Sequence, residues 1–76
     1  NANYAAAYNR RGDSYYRLGD YNKSVVDSSA AIRLNPKDAN SYYDRGFSLY
    51  SLGDYIGAIT DYNQAIKLDA KNSEFY

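Results

Sequence analysis

Leu18-Gly19-Asp20-Tyr21 recurs 34 residues later as Leu52-Gly53-Asp54-Tyr55, and this repeated stretch decides the fold. Gly can adopt the left-handed backbone that ends a helix, and the Asp after it can cap the next helix. The stretch therefore predicts a tight turn between two helices in each copy. Further identities occur at the same spacing, among them Tyr8/Tyr42, Arg11/Arg45, Gly12/Gly46, Asp27/Asp61 and Ala31/Ala65. A period of this length indicates a duplicated unit that must stack on its neighbour to bury its apolar face.

Apolar and small residues recur at helical spacing inside each unit. In the first unit they are Tyr8, Gly12, Tyr15 and Leu18, followed by Tyr21, Val25, Ala31 and Ile32. Pro36 ends the second helix, because it has no amide hydrogen and disfavours helical geometry in the residue before it. We expect four helices, at roughly 5–18, 21–34, 39–52 and 55–68, and no strand.

Gly12 and Gly46 lie inside predicted helices, where Gly costs about 1 kcal/mol relative to Ala. Close approach of the partner helix explains them best, and we expect Ala31 and Ala65 to supply the matching small surface.

The unit resembles the tetratricopeptide repeat. The matching positions are an aromatic, a small residue, the Gly-Asp-Tyr element and paired alanines, namely Tyr8 and Tyr42, Gly12 and Gly46, 19–21 and 53–55, and Ala58 and Ala65. The resemblance implies an all-α fold of two stacked antiparallel helical hairpins from a right-handed superhelix. We expect one domain over 1–76, with repeat one at 5–38, repeat two at 39–72, and 73–76 as the stub of a following helix.

Three departures from the family pattern are visible. Ser24 and Ser28 replace the usual Ala and aromatic in unit one, which leaves the packing of the second helix open. Ala70 replaces the usual Pro in unit two, so helix four is expected to run past residue 68 toward Tyr76.

Arginine at positions 11 and 45 is the third departure, since Leu is common there. Asp27 and Asp61 occupy the facing place in each partner helix. Two interpretations are open, namely ion pairs within each repeat or ordinary solvated charges.

Composition excludes several classes of function. The chain has no Cys and no His, so we expect no enzyme activity, no metal site and no cofactor. Nine Lys and Arg balance nine Asp and Glu, so neither nucleic acid nor a membrane surface is an expected partner. No stretch approaches the ~20 apolar residues of a membrane span. A soluble chain is expected, with the cytoplasm as its default location.

In the tetratricopeptide family the first helix of each repeat lines a concave groove that binds a peptide. The resemblance therefore implies a protein or peptide ligand. Helical spacing places eight candidate groove residues on that face: Asn9, Asp13, Tyr16 and Arg17, then Tyr43, Phe47, Tyr50 and Ser51. Aromatic side chains often carry interface energy. For Phe47 and Tyr50 the alternative is burial against the second helix of the preceding unit.

Some proteins of this family clamp the C-terminal carboxylate of a chaperone through Lys and Asn. The corresponding positions here hold Asn9, Asp13 and Asp44, and an Asp repels a carboxylate. We therefore expect no such clamp.

The alternative function is structural. The apolar side of helix four, with Ile59, Tyr62 and Ile66, lacks a neighbour. A second copy of the chain could cover it, which predicts a homo-oligomer formed through exposed repeat ends.

Overall fold

Four α-helices make up the part of the chain that the computed structural model describes, which is residues 2–73 for the backbone and 4–70 for the side chains. They are α1 (Ala2–Arg17), α2 (Tyr21–Leu34), α3 (Ala39–Ser51) and α4 (Tyr55–Ser73). Each helix packs against the next, and α1 also contacts α3. The predicted all-α fold of two stacked hairpins is confirmed.

Each hairpin turns on a glycine in the left-handed region. Gly19 has φ of 84° and Gly53 has φ of 88°, a conformation that Gly adopts without steric cost. Asp20 then accepts a hydrogen bond from the amide of Lys23 at 3.3 Å, as an N-cap residue does. In the second repeat, Asp54 accepts one from the amide of residue 57 at 3.0 Å. The predicted turn is present in both units.

The two repeats differ in how their second helices end. In the first, α2 ends at Leu34, just before Asn35-Pro36. In the second, where Ala70 replaces Pro, α4 continues to Ser73, so the expected extension past Leu68 is confirmed to that residue. Residues 74–76, the remainder of the predicted stub, lie outside the described residues. No helix among those described is long and apolar enough to cross a membrane.

Small side chains fill the space between the helices. Among residues 4–70 the buried apolar residues are all alanines, namely Ala5, Ala30, Ala31, Ala39, Ala58 and Ala65. The largest fully buried side chains are serines at 24, 28, 41 and 48. Ser48 Oγ donates to Ser24 Oγ at 2.8 Å, which satisfies both hydroxyls where α3 meets α2. Ser24 and Ser28 of α2 are thus fully buried in the helix packing, although the hydroxyl of Ser28 has no hydrogen-bond partner among the described residues.

Leu18 does not join the apolar face of α1. Its side chain is 81% exposed, so the expectation from helical spacing is wrong here. The reason is local, since α1 ends at Arg17 and the chain has already entered the turn.

The interior glycines lie at close helix contacts, but the expected neighbours were wrong. A Cβ added to Gly12 would lie 3.2 Å from a side chain of α2, and one added to Gly46 would lie 2.6 Å from the ring of Tyr62. Ala31 and Ala65 are buried, yet they do not supply these nearest atoms. The contacts come from the first half of each second helix, nearer the turn.

Each hairpin carries the same ion pair, so this interpretation of the arginines is confirmed. Arg11 donates two hydrogen bonds to the carboxylate of Asp27, at 2.7 and 2.9 Å. Arg45 donates two to Asp61, at 2.7 and 2.8 Å, and one to Ser29 at 3.2 Å. Both carboxylates are buried, and such bidentate pairs combine charge with fixed geometry.

Candidate functional site

The first helices of the two repeats, α1 and α3, border an open groove. It contains two cavities of about 330 and about 190 Å³. Asp13 and Asp44 line both cavities, so the two adjoin. We use "the groove" for both cavities together, lined by Ala6, Asn9, Arg10, Asp13, Tyr16, Arg17, Asp38, Asn40, Asp44 and Phe47.

The larger cavity is rich in hydrogen-bond acceptors. Asp44 is half-buried, and no ion pair or hydrogen bond to it exists between residues 4 and 70. Burial raises the pKa of Asp44 to about 6, with smaller contributions from the carboxylates of Asp13 and Asp38. The Oδ1 atom of Asn9 is also buried there, without a donor from the described part of the chain. Two acceptors of residues that line this cavity therefore have no donor from the described part of the chain.

Two arginines line the groove without neutralising Asp44. Arg17 pairs with Asp13 on its own helix at 3.0 Å. Arg10 is exposed at the edge of the larger cavity and makes no ion pair within residues 4–70. With Asp38 included, three carboxylates face two guanidinium groups, so the groove is net negative.

Aromatic rings form the other end of the groove. The ring of Phe47 lies 6.3 Å from Tyr16, 6.3 Å from Tyr43 and 5.7 Å from Tyr62, measured between centroids. We call these four residues the aromatic cluster. Burial raises the pKa of Tyr62, as expected for a phenol surrounded by other rings. Side chains from α1, α3 and α4 therefore meet at one patch.

Phe47 and Tyr50 are not buried against α2. Phe47 is 43% exposed, and its ring partners lie on α1, α3 and α4. Tyr50 is 59% exposed and packs edge-on against Tyr55 at 5.1 Å. The alternative that these two side chains pack on the preceding second helix is therefore wrong.

The eight predicted site residues divide into three groups by position. Lining the cavities are Asn9, Asp13, Tyr16, Arg17 and Phe47. Tyr43 adjoins them through its stacked contact with Phe47. Tyr50 and Ser51 lie beyond the cavities, close to the turn that follows α3.

Five residues that line the groove were not predicted as part of the site, namely Ala6, Arg10, Asp38, Asn40 and Asp44, and neither was Tyr62 beside it. The sequence places Asp44 on this face, but predicts for it only the repulsion of a carboxylate ligand. Asp38 is the N-cap residue of α3, and its side chain accepts a hydrogen bond from the amide of Asn40 at 3.0 Å. Tyr62 was expected on the uncovered side of helix four, but its ring turns inward to Phe47. The corresponding position of the first repeat holds Ser28, and this difference between the two repeats is the sequence signal that marks Tyr62.

Comparison with known proteins agrees with this architecture. A family profile described as "TPR repeat" matches residues 12–53, and one described as "Tetratricopeptide repeat" matches residues 39–72. The chain belongs to the tetratricopeptide repeat family. Such repeats generally mediate protein–protein interaction, and the family is a scaffold that is generally non-enzymatic.

One similar protein is "Tetratricopeptide repeat protein 37" of Xenopus laevis. It is 53% identical over 34 residues, which is 45% of this chain and 2% of that protein. The matched stretch is about one repeat long, so the match spans only a small part of a far longer relative.

Proposed function

We propose that the chain binds a peptide segment of a partner protein in the groove between α1 and α3. The observation that carries this proposal is the aromatic cluster beside two open cavities. Rings that are partly exposed offer large contact area with few rotatable bonds. The general role of tetratricopeptide repeats in protein–protein interaction supports the same conclusion.

The two repeats act as one unit in this proposal, with repeat one at 5–38 and repeat two at 39–72 inside a single domain. Packing of α2 against α3 supports this, because it joins the two hairpins. The groove itself needs both repeats, since α1 and α3 come from different ones. Within a longer array, the groove would continue along the concave side of a right-handed superhelix.

A display selection from random hexapeptides, with the chain immobilised, tests this function. The selected peptides are then titrated into the ¹⁵N-labelled chain and followed by amide chemical shifts. We expect the shifts to concentrate in the residues that face the groove on α1 and α3. Shifts confined to α2 and the outer side of α4 contradict the proposed location, and failure to select any peptide contradicts peptide binding.

Self-association is the second candidate function, supported by the exposed isoleucines of α4. Ile56 is 82% exposed, Ile59 57% and Ile66 55%. Among the described helices, α4 packs only against α3. A second copy could cover this apolar surface in a two-fold contact. Light scattering over a concentration series, with Ile59→Asn beside the unmodified chain, tests this. A monomer at every concentration contradicts it.

A further inference from the structure

Asp44 is the least compensated charge in the groove. Its carboxylate is half-buried and lacks a cationic partner in the described part of the chain, while Asp13 and Asp38 add like charge nearby. A partly buried carboxylate without a partner is unfavourable. The two fully buried carboxylates of the helices, Asp27 and Asp61, each have an arginine. Asp44 differs from them because its site is open.

The charge of the whole groove points the same way, since three carboxylates line it against two guanidinium groups. Buried acceptors are normally paired with protein or water donors. An ammonium or a guanidinium group has only donors and carries the complementary charge. The unpaired carboxylate of Asp44 in a net negative groove therefore favours a cation that bears several N–H groups.

An organic cation fits this cavity better than a metal ion. No three acidic side chains within residues 4–70 lie close enough to hold a metal. The larger cavity is about 330 Å³, at the lower end of the roughly 300–1,000 Å³ typical of small-ligand sites. That volume accommodates one long side chain entering from the open groove.

We propose that this cavity receives a lysine or arginine side chain of the bound peptide, with the carboxylate of Asp44 as its acceptor and counter-charge. This inference rests on the proposed peptide binding and adds the chemistry of the ligand. Phe47 lines the adjoining cavity, so the peptide residue next to the basic one packs against the aromatic cluster. The ligand class is a basic peptide with a neighbouring apolar side chain.

Arg10 lines the same cavity as Asp44, and its substitution should change peptide affinity in the opposite direction. Arg17 is already held by Asp13 at 3.0 Å. Arg10 borders the same cavity as Asp44 without an ion pair, so it competes with an incoming cation by charge repulsion. Asp44→Asn should therefore weaken the binding of basic peptides, whereas Arg10→Gln should strengthen it.

The test uses random hexapeptides with blocked termini, selected on the unmodified chain and then synthesised for calorimetry. We expect Lys or Arg to be enriched at one fixed position. Replacing that residue by citrulline or Gln should weaken binding about tenfold or more, as should Asp44→Asn. Arg10→Gln should tighten binding several-fold. Asn63→Lys on α4 makes the same change in net charge as Asp44→Asn outside the groove, and it should leave the affinity within about twofold.

Lowering the pH from 7.5 to 5 adds an independent readout. The charged groups around Asp44 are Arg10, Asp13 and Arg17 on α1 and Asp38 at the start of α3. Protonation of Asp44 should weaken the binding of basic peptides to the unmodified chain. The Asp44→Asn variant should show little of this change.

Three results overturn the proposal. Selected peptides without a preference for Lys or Arg, bound equally by the Asp44→Asn variant, remove the cationic subsite and leave peptide binding intact. Equal weakening by Asn63→Lys and Asp44→Asn means that only net charge matters. If no peptide is selected, the groove function and the subsite both fail.

Discussion

Tyr62 of α4 lies directly against the backbone of Gly46 on α3. A Cβ at Gly46 would come 2.6 Å from Cε1 of the ring, closer than real side chains approach. In the first repeat the corresponding pair is Gly12 and Ser28, and a Cβ at Gly12 would lie 3.4 Å from the Oγ atom of Ser28. The second hairpin thus contains a ring where the first contains a hydroxymethyl group, and the ring depends on the glycine.

Gly46→Ala should destabilise the chain by about 1–3 kcal/mol, because the added methyl group displaces a ring that other rings hold. Urea unfolding followed by circular dichroism measures this. In a Tyr62→Ser background, which restores the residue type of the first repeat, the same substitution should cost much less. Equal costs in the two backgrounds contradict the contact.

Arg45→Gln should destabilise the chain by about 2–4 kcal/mol, because it leaves the buried carboxylate of Asp61 without its charge partner. Arg11→Gln is the matched control in the first repeat. The Arg11 side chain is 60% exposed and that of Arg45 is 26% exposed, so water reaches Asp27 more readily once its arginine is removed. In thermal unfolding, the melting temperature of Arg45→Gln should be lower than that of Arg11→Gln. The reverse order contradicts this account.

Phe47→Ala should weaken binding of a selected peptide by about 1–2 kcal/mol while helicity is retained. The physical reason is that the ring of Phe47 contacts each of the other three rings of the aromatic cluster. Tyr50→Ala is the control, since Tyr50 contacts Tyr55 outside the cavities. Calorimetry measures the affinity of both variants for the peptide, and equal losses from the two substitutions contradict a site centred on the groove.

Asp44 should make the stability of the chain depend on pH. Its pKa is raised from the ordinary 3.8 to about 6 in the folded state. At a pH between these two values, the folded chain therefore holds a proton that the unfolded chain has lost. The stabilising contribution is complete below about pH 4 and is lost as the pH rises through 6. Relative to Asp44→Asn, the unmodified chain should lose on the order of 1 kcal/mol between pH 4 and 7, reduced by solvent screening. Parallel stability curves for the two proteins contradict this.

Ala70→Pro should shorten α4. Proline removes an amide donor and clashes with the preceding turn, and α2 ends at Leu34, two residues before Pro36. The helix should then end near Leu68 instead of Ser73. Carbon chemical shifts over residues 66–73 measure the change, with Ala70→Ser as the control. Unchanged helical shifts contradict the role given to the missing proline.

The fold was predictable because its signals are local or periodic. Gly53 and Asp54 mark the same turn as Gly19 and Asp20, and the offset between them defines the repeat. The pairing of Arg45 with Asp61 was one of the two interpretations that the repeat left open, and the structure shows it. Leu18 was misplaced because helical spacing alone does not indicate where a helix ends.

The site was only partly predictable, because its properties depend on the distance between α1 and α3. Helical spacing placed Asp13 and Phe47 on the correct face. It could not show that Asp44 is half-buried without a partner, or that the buried oxygen of Asn9 lacks a donor. Those facts depend on how two helices from different repeats lie against each other. The inward direction of Tyr62 likewise depends on the space above Gly46.

The core of alanines and serines has a calorimetric consequence. Unfolding hydrates apolar surface, which raises the heat capacity by roughly 12–15 cal/mol/K per residue in average proteins. Here the fully buried side chains include Ser24 and Ser48, whose hydroxyl groups contribute with the opposite sign. The heat-capacity increment of this chain should lie below that average. The free energy of unfolding should accordingly change little with temperature, so cooling and warming change the folded fraction gradually. Cold denaturation should then lie far below ordinary temperatures.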